Sequence, residues 1–212
     1  MPFLDESARV LASCSDKHFL HHPKIFVLSG SFSVGKSTLL EALQKKYGDS
    51  LDFISDGGRA VIMKVAPEGI ENISLEKRKN LQKGVFEYYL ERELPYVSSG
   101  STKLAISDAS MIEVAAYSEG LLDEEYLSQI HECISERAAQ YCILKLPIGV
   151  TPLFEDGIRN EDLEFQRVVD ERMNRILDNN PNILVTYLPV ECSALEDRVT
   201  FAEQLMKRFG FI

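Results

Sequence analysis

Residues 24–41 read Lys-Ile-Phe-Val-Leu-Ser-Gly-Ser-Phe-Ser-Val-Gly-Lys-Ser-Thr-Leu-Leu-Glu: an apolar run, a glycine-serine loop and the start of an amphipathic segment, in that order. Gly30-Ser31-Phe32-Ser33-Val34-Gly35-Lys36-Ser37 satisfies every fixed position of G-x-x-x-x-G-K-[ST]. Gly30 and Gly35 permit the tight path that turns successive N–H groups toward phosphates. Lys36 is then placed for the β and γ phosphates, and the Ser37 hydroxyl for Mg²⁺. The helix beginning near Ser37, with Leu39, Leu40 and Leu43 on one face, adds its dipole to the same anion site. The expected ligands are ATP and Mg²⁺, held by Gly30, Ser31, Phe32, Ser33, Val34, Gly35, Lys36, Ser37 and Thr38.

Outward from this loop, 212 residues suffice for one α/β domain, expected over residues 23–212, with residues 1–22 as an N-terminal extension. A formal net charge of −10 without a Lys/Arg-rich block argues against nucleic acid as the main partner. No apolar run is long enough to span a membrane, and the N-terminus lacks a basic segment followed by an apolar one, so a cytoplasmic protein is expected. Cys14, Cys133, Cys142 and Cys192 are scattered and form no C-x-x-C pair, which predicts free thiols.

Five short apolar runs alternate with helical patterns. The strands are expected at Ile25–Ser29, Leu51–Ser55, Leu104–Ser107, Tyr141–Leu146 and Ile183–Leu188. Between and after them lie helical stretches to about Tyr47, from Arg59 to Val65, from Leu75 to Leu94 with Pro95 closing its end, at about 111–120 and 123–140, from Leu163 to Leu177, and from Ala194 to Phe209. Strands separated by helices predict a P-loop three-layer α/β sandwich: a five-stranded parallel sheet with right-handed crossovers and helices on both faces. Such a sheet binds its ligand beyond the carboxyl ends of its strands, where the loop, Asp56 and Asp108 all fall.

The residues just past those strands decide the chemistry. Asp108, after Leu-Ala-Ile-Ser, is expected to share the Mg²⁺ site with Ser37; Asp there also suits a helix N-cap. Ala109 stands where hydrolysing relatives of this loop place a water-activating Glu, and no Asn-Lys-x-Asp guanine-reading motif occurs. Transfer to a bound acceptor fits better than hydrolysis. Asp56, beside Gly57-Gly58, is placed to orient or deprotonate an acceptor hydroxyl, with Arg59 one turn further on. Thr151–Asn160 reads as a lid whose Asp156 and Arg159 approach the phosphates, with Arg167 a second candidate. Arg172 and Arg175 read as a solvated helix face paired with Glu164, Asp170 and Glu171. Tyr88, Tyr89 and Tyr117 read as core aromatics.

With these residues assembled, the chain resembles the P-loop AAA-domain ATPase/kinase family of NAD metabolism, which includes the nicotinamide riboside kinase domain of bifunctional NAD-biosynthesis proteins. The resemblance spans about residues 24–209 and is most specific at Gly30–Thr38 and Asp156-Gly157-x-Arg159. It implies a nucleotide-kinase-like fold with a lid, phosphate and Mg²⁺ binding by Lys36 and Ser37, a metal site completed by Asp108, a lid containing Arg159, and a base-proximal loop at Val190–Arg198. The chain departs from the family where Asp56 replaces the usual Glu and Ala109 the usual Arg or Thr. The expected activity is a Mg²⁺- and ATP-dependent kinase acting on a nucleoside- or nucleotide-like metabolite, nicotinamide riboside among them. The alternatives are a regulatory ATP/GTP switch that recruits a protein or lipid, and a slow hydrolase.

Overall fold

The computed structural model describes residues 22–67, 70, 73–150 and 162–212. In chain order its elements are β1 (Ile25–Ser29), α1 (Lys36–Tyr47), β2 (Asp52–Ile54), α2 (Gly57–Val65), α3 (Leu75–Val97), β3 (Ala105–Ser107), α4 (Met111–Ser118), α5 (Glu124–Arg137), β4 (Tyr141–Lys145), α6 (Leu163–Asp178), β5 (Leu184–Tyr187) and α7 (Leu195–Arg208). The extension expected at residues 1–22 lies outside the described residues except for His22, and the lid expected at Thr151–Asn160 lies wholly outside them.

All five strands pair in parallel in the order β2-β3-β1-β4-β5. β1 therefore occupies the centre, and every one of its residues is buried. Its continuous apolar run is what a strand covered on both faces requires. On one face Ile25, Val27, Ala105, Tyr141 and Ile143 pack beneath α2–α6. On the other, Phe26, Leu28, Cys142 and Leu144 meet α1 and α7. This is the doubly covered parallel sheet that the alternation of strands and helices predicts. No described helix is long and apolar enough to cross a membrane.

One expected boundary is corrected. Pro95 lies inside α3, which runs on to Val97. Proline removes the hydrogen bond to the carbonyl four residues back, but Glu91 and Pro95 are both exposed, where solvent can offset the lost bond. The helix end is then closed by side chains, Ser98 Oγ donating to the Leu94 carbonyl at 2.6 Å and Ser101 Oγ to that of Pro95 at 2.7 Å.

Candidate active site

The glycine loop leaves β1 along a path that other residues resist. Gly30 has φ +155°, and a Cβ there would lie 2.7 Å from Val34 Cγ2 and 3.3 Å from the Leu146 carbonyl oxygen. Gly35, at φ +88°, precedes the first residue of α1. Three side chains distant in sequence fix the loop backbone. Glu113 Oε1 accepts the Gly30 N–H at 3.1 Å, Gln166 Nε2 donates to the Phe32 carbonyl at 2.7 Å, and Arg198 Nη1 donates to that of Val34 at 3.3 Å. Lys36 Nζ donates to the carbonyls of Gly30 and Ser31, each at 2.7 Å, which holds the ammonium over the loop.

Ser37 Oγ donates to Asp108 Oδ2 at 2.6 Å, so the hydroxyl and the carboxylate expected to share a metal lie side by side. Both are hard oxygen donors. A protein contributing only one or two such ligands suits Mg²⁺, which takes its remaining ligands from water and substrate phosphates. No group of three or more His, Cys, Asp or Glu that could hold a metal ion occurs among the described residues. Ser37 and Asp108 fit Mg²⁺.

After Asp108 the chain turns through Ala109 at φ +104°, an unusual conformation for a residue with a Cβ. Ser107 Oγ holds the turn by donating to the Ala109 carbonyl at 2.6 Å. Strain of this kind costs on the order of 1 kcal/mol or more. Ala109→Gly is therefore expected to stabilise the fold by about 1 kcal/mol in urea denaturation, the relief of strain outweighing the added freedom of the unfolded chain. Beyond the turn, Ser110 and Glu113 form a reciprocal capping box at the start of α4.

Asp56 caps α2, its Oδ1 accepting the Arg59 N–H at 3.2 Å. It also lines a cavity of about 660 Å³ that opens from the glycine loop. Lys36, Phe32, Asp56 and Glu113 stand at the loop end, Ile62, Leu81 and Val85 form apolar walls, and Arg78, Tyr89, Tyr117, Phe165 and Arg172 are among the other lining residues. Arg59 is exposed and does not line it. Arg167 is likewise exposed on α6, and Asp156 and Arg159 lie outside the described residues. The structure thus brings together Gly30–Ser37, Asp56 and Asp108.

Two arginines differ from their sequence reading. Arg172 does not pair along its own helix; its Nη1 donates to the carbonyls of Ala116 and Glu119 at 3.1 and 2.7 Å, across the end of α4. Arg175 Nη2 meets the Glu119 carboxylate at 2.5–2.6 Å. The last carbonyls of a helix lack intrahelical donors and carry the negative end of its dipole, so those at the C-terminus of α4 attract cations more strongly than an i, i+4 carboxylate in water does. Sequence reasoning also missed Glu113, Gln166 and Arg78, and named Arg198 only as the end of a base-proximal loop, whereas it lies on α7 and holds the glycine loop. Only Glu113 carried a local signal, the Ser110-x-x-Glu113 capping pattern, and that pattern does not announce the bond to Gly30.

A family model described as AAA domain matches residues 25–198. The chain belongs to that family. No curated protein matches it. Among solved structures, Candida albicans thymidylate kinase is similar at 15% identity and TM-score 0.57, over 88% of this chain and 92% of that one. NadR in complex with NR is similar at 18% identity and TM-score 0.53, over 86% of this chain and 52% of NadR, so the family member spans about half of that protein. YorR of Bacillus subtilis, in complex with phosphorylated GDP, is similar at 14% identity and TM-score 0.51, over 89% of this chain and 99% of YorR. Identities this low speak for the fold alone: a P-loop kinase-like fold, as expected from the sequence.

Proposed function

We propose that the chain is an ATP- and Mg²⁺-dependent kinase that transfers the γ-phosphoryl group to a nucleoside- or nucleotide-like metabolite, with nicotinamide riboside the first acceptor to test. The observation that carries this reading is the cavity. A hydrolase needs room for one water beside the γ-phosphate, whereas here about 660 Å³ of lined space continues from Lys36 and Asp56. Its size suits a small organic acceptor.

In this reading the loop amides and Lys36 hold the phosphates and stabilise the charge that develops on the transferring group. Ser37 and Asp108 hold Mg²⁺, which when bound neutralises phosphate charge and polarises the β–γ linkage. Asp56 orients the acceptor oxygen or takes its proton, and Arg159 contributes its charge from the lid. The nicotinamide ring of the riboside is cationic and aromatic. Phe165 stands 6.4 Å from Phe32 in a stacked pair and 6.1 Å from Tyr117 in an edge-on one, a surface suited to such a ring. That NadR is described in complex with NR adds support for this acceptor.

The test is ATP turnover measured with and without a panel of nucleosides, nucleotides and nicotinamide riboside, with phosphorylated product identified by mass. Acceptor-dependent product supports the reading, and turnover indifferent to every acceptor overturns it. Leu81→Trp, which fills the apolar wall, should raise the acceptor KM by about tenfold or more while leaving the KM for ATP within about twofold. A rise in both would argue against a separate acceptor cavity.

A further inference from the structure

The Tyr89 hydroxyl touches the two strand-end loops that the proposed reaction uses, and does so from a third element. Tyr89 lies on α3 and is 1% exposed. Its hydroxyl accepts the Gly57 N–H at 3.1 Å, one residue after Asp56, and donates to the main-chain carbonyl of Asp108 at 3.0 Å. The neighbouring Tyr88 reaches the same β2–α2 connection from outside, 3.0 Å from Ser55 Oγ and 3.3 Å from the Ser55 carbonyl. Gly57 permits this approach. A Cβ there would fall 2.5 Å from Tyr88 Cδ1 and 2.9 Å from Tyr89 Cε2. Burial above all, and after it the charges of Asp56 and Asp108, push the Tyr89 phenol well above its ordinary range, so the hydroxyl keeps the proton it donates.

We propose that Tyr89 is a positioning residue that couples the metal-binding Asp108 to the Asp56 loop, so that loading Mg²⁺–nucleotide also sets the acceptor side of the site. The argument is geometric. One hydroxyl satisfies a buried donor on one loop and a buried acceptor on the other, so a shift of either main chain stretches a bond to the hydroxyl that the other also holds. The same helix supplies Leu81 and Val85 to the cavity wall, so an acceptor pressing on α3 acts on the same hydroxyl. The inference deepens the kinase reading and rests on it for the role of Asp56.

Binding of a non-hydrolysable ATP analogue to the full chain, titrated by calorimetry over a series of Mg²⁺ concentrations, tests it. Tyr89→Phe should raise the Mg²⁺ concentration giving half of the metal-dependent affinity gain by about fivefold, while metal-free affinity stays within about twofold. Tyr96→Phe is the control. Tyr96 lies on the same helix but bonds the first residue of β2, Oη to Asp52 Oδ2 at 2.9 Å, at the end of that strand remote from Asp56, and should change neither quantity. A folded Tyr89→Phe protein with wild-type Mg²⁺ dependence overturns the proposal.

Amide hydrogen exchange in the unaltered protein decides the matter if that variant does not fold. Residues 52–60 should exchange at least about threefold more slowly with Mg²⁺–analogue than with analogue alone, and equal exchange overturns the coupling. A protein that shows this linkage but phosphorylates no acceptor removes the kinase reading and leaves the linkage standing. A protein that binds no analogue removes both.

Discussion

Lys36→Ala is expected to slow phosphoryl transfer by about 10³-fold while the protein remains folded. The large kinetic effect comes from the position of the ammonium, held over the glycine loop by the carbonyls of Gly30 and Ser31. A charge fixed there before reaction needs no reorganisation as negative charge builds on the transferring group. The modest effect on folding has its origin in the same contacts. Lys36 is half-buried and begins α1, where alanine is well tolerated, and losing its two charge-assisted hydrogen bonds to the loop carbonyls should cost about 1–3 kcal/mol. Initial rates against ATP and acceptor, with thermal denaturation of both proteins, separate the two effects. Loss of turnover smaller than about tenfold would show that the loop lysine is not what stabilises the reaction.

The second large effect is a pH dependence of stability located far from the site. Glu93 on α3 is fully buried, and burial pushes its carboxyl up to about 7, against the opposing influences of the Tyr141 hydroxyl and Arg137. Tyr141 donates to Oε2 at 2.6 Å, and Arg137 Nε lies 3.4 Å from the same oxygen, while Oε1 has no hydrogen-bond partner among the described residues. The folded protein therefore holds this proton more tightly than the unfolded chain does. The resulting stability is fully present below the unfolded value of 4.5 and is lost as pH rises through about 7. Between about pH 4 and about pH 8 the loss should reach about 3 kcal/mol. Comparing the wild type with Glu93→Gln by urea denaturation across that range isolates the contribution, because other titrating groups cancel. A constant difference between the two would mean that Glu93 takes up its proton at the same pH in the folded and unfolded chains.

The parts legible in the sequence were those encoded locally. β1, the glycine loop and α1 are consecutive, so Ile25–Glu41 carried strand, loop and helix in one reading, and Asp56 and Asp108 were found because they lie at strand ends. The residues that fix the loop were not legible in the same way. Glu113, Gln166 and Arg198 meet Gly30, Phe32 and Val34 only after α4, α6 and α7 have packed, and nothing in their local pattern names those carbonyls and amides. Tyr89 shows the same limit more sharply. Its ring reads as core and is core, yet its hydroxyl joins two loops that sequence alone does not place on either side of it. Pro95 failed for another reason: the rule that proline ends helices presumes a lost bond without a substitute, and an exposed final turn has water.

The central place of β1 has a consequence for how the protein is made. The ribosome releases this largely apolar strand before the other four, but its two neighbours are β3 and β4, so both of its edges stay open until residues 105–107 and 141–145 emerge. A nascent chain arrested before residue 105 should therefore be protease-sensitive and bound by chaperones, and protection should appear only once both flanking strands have cleared the exit tunnel.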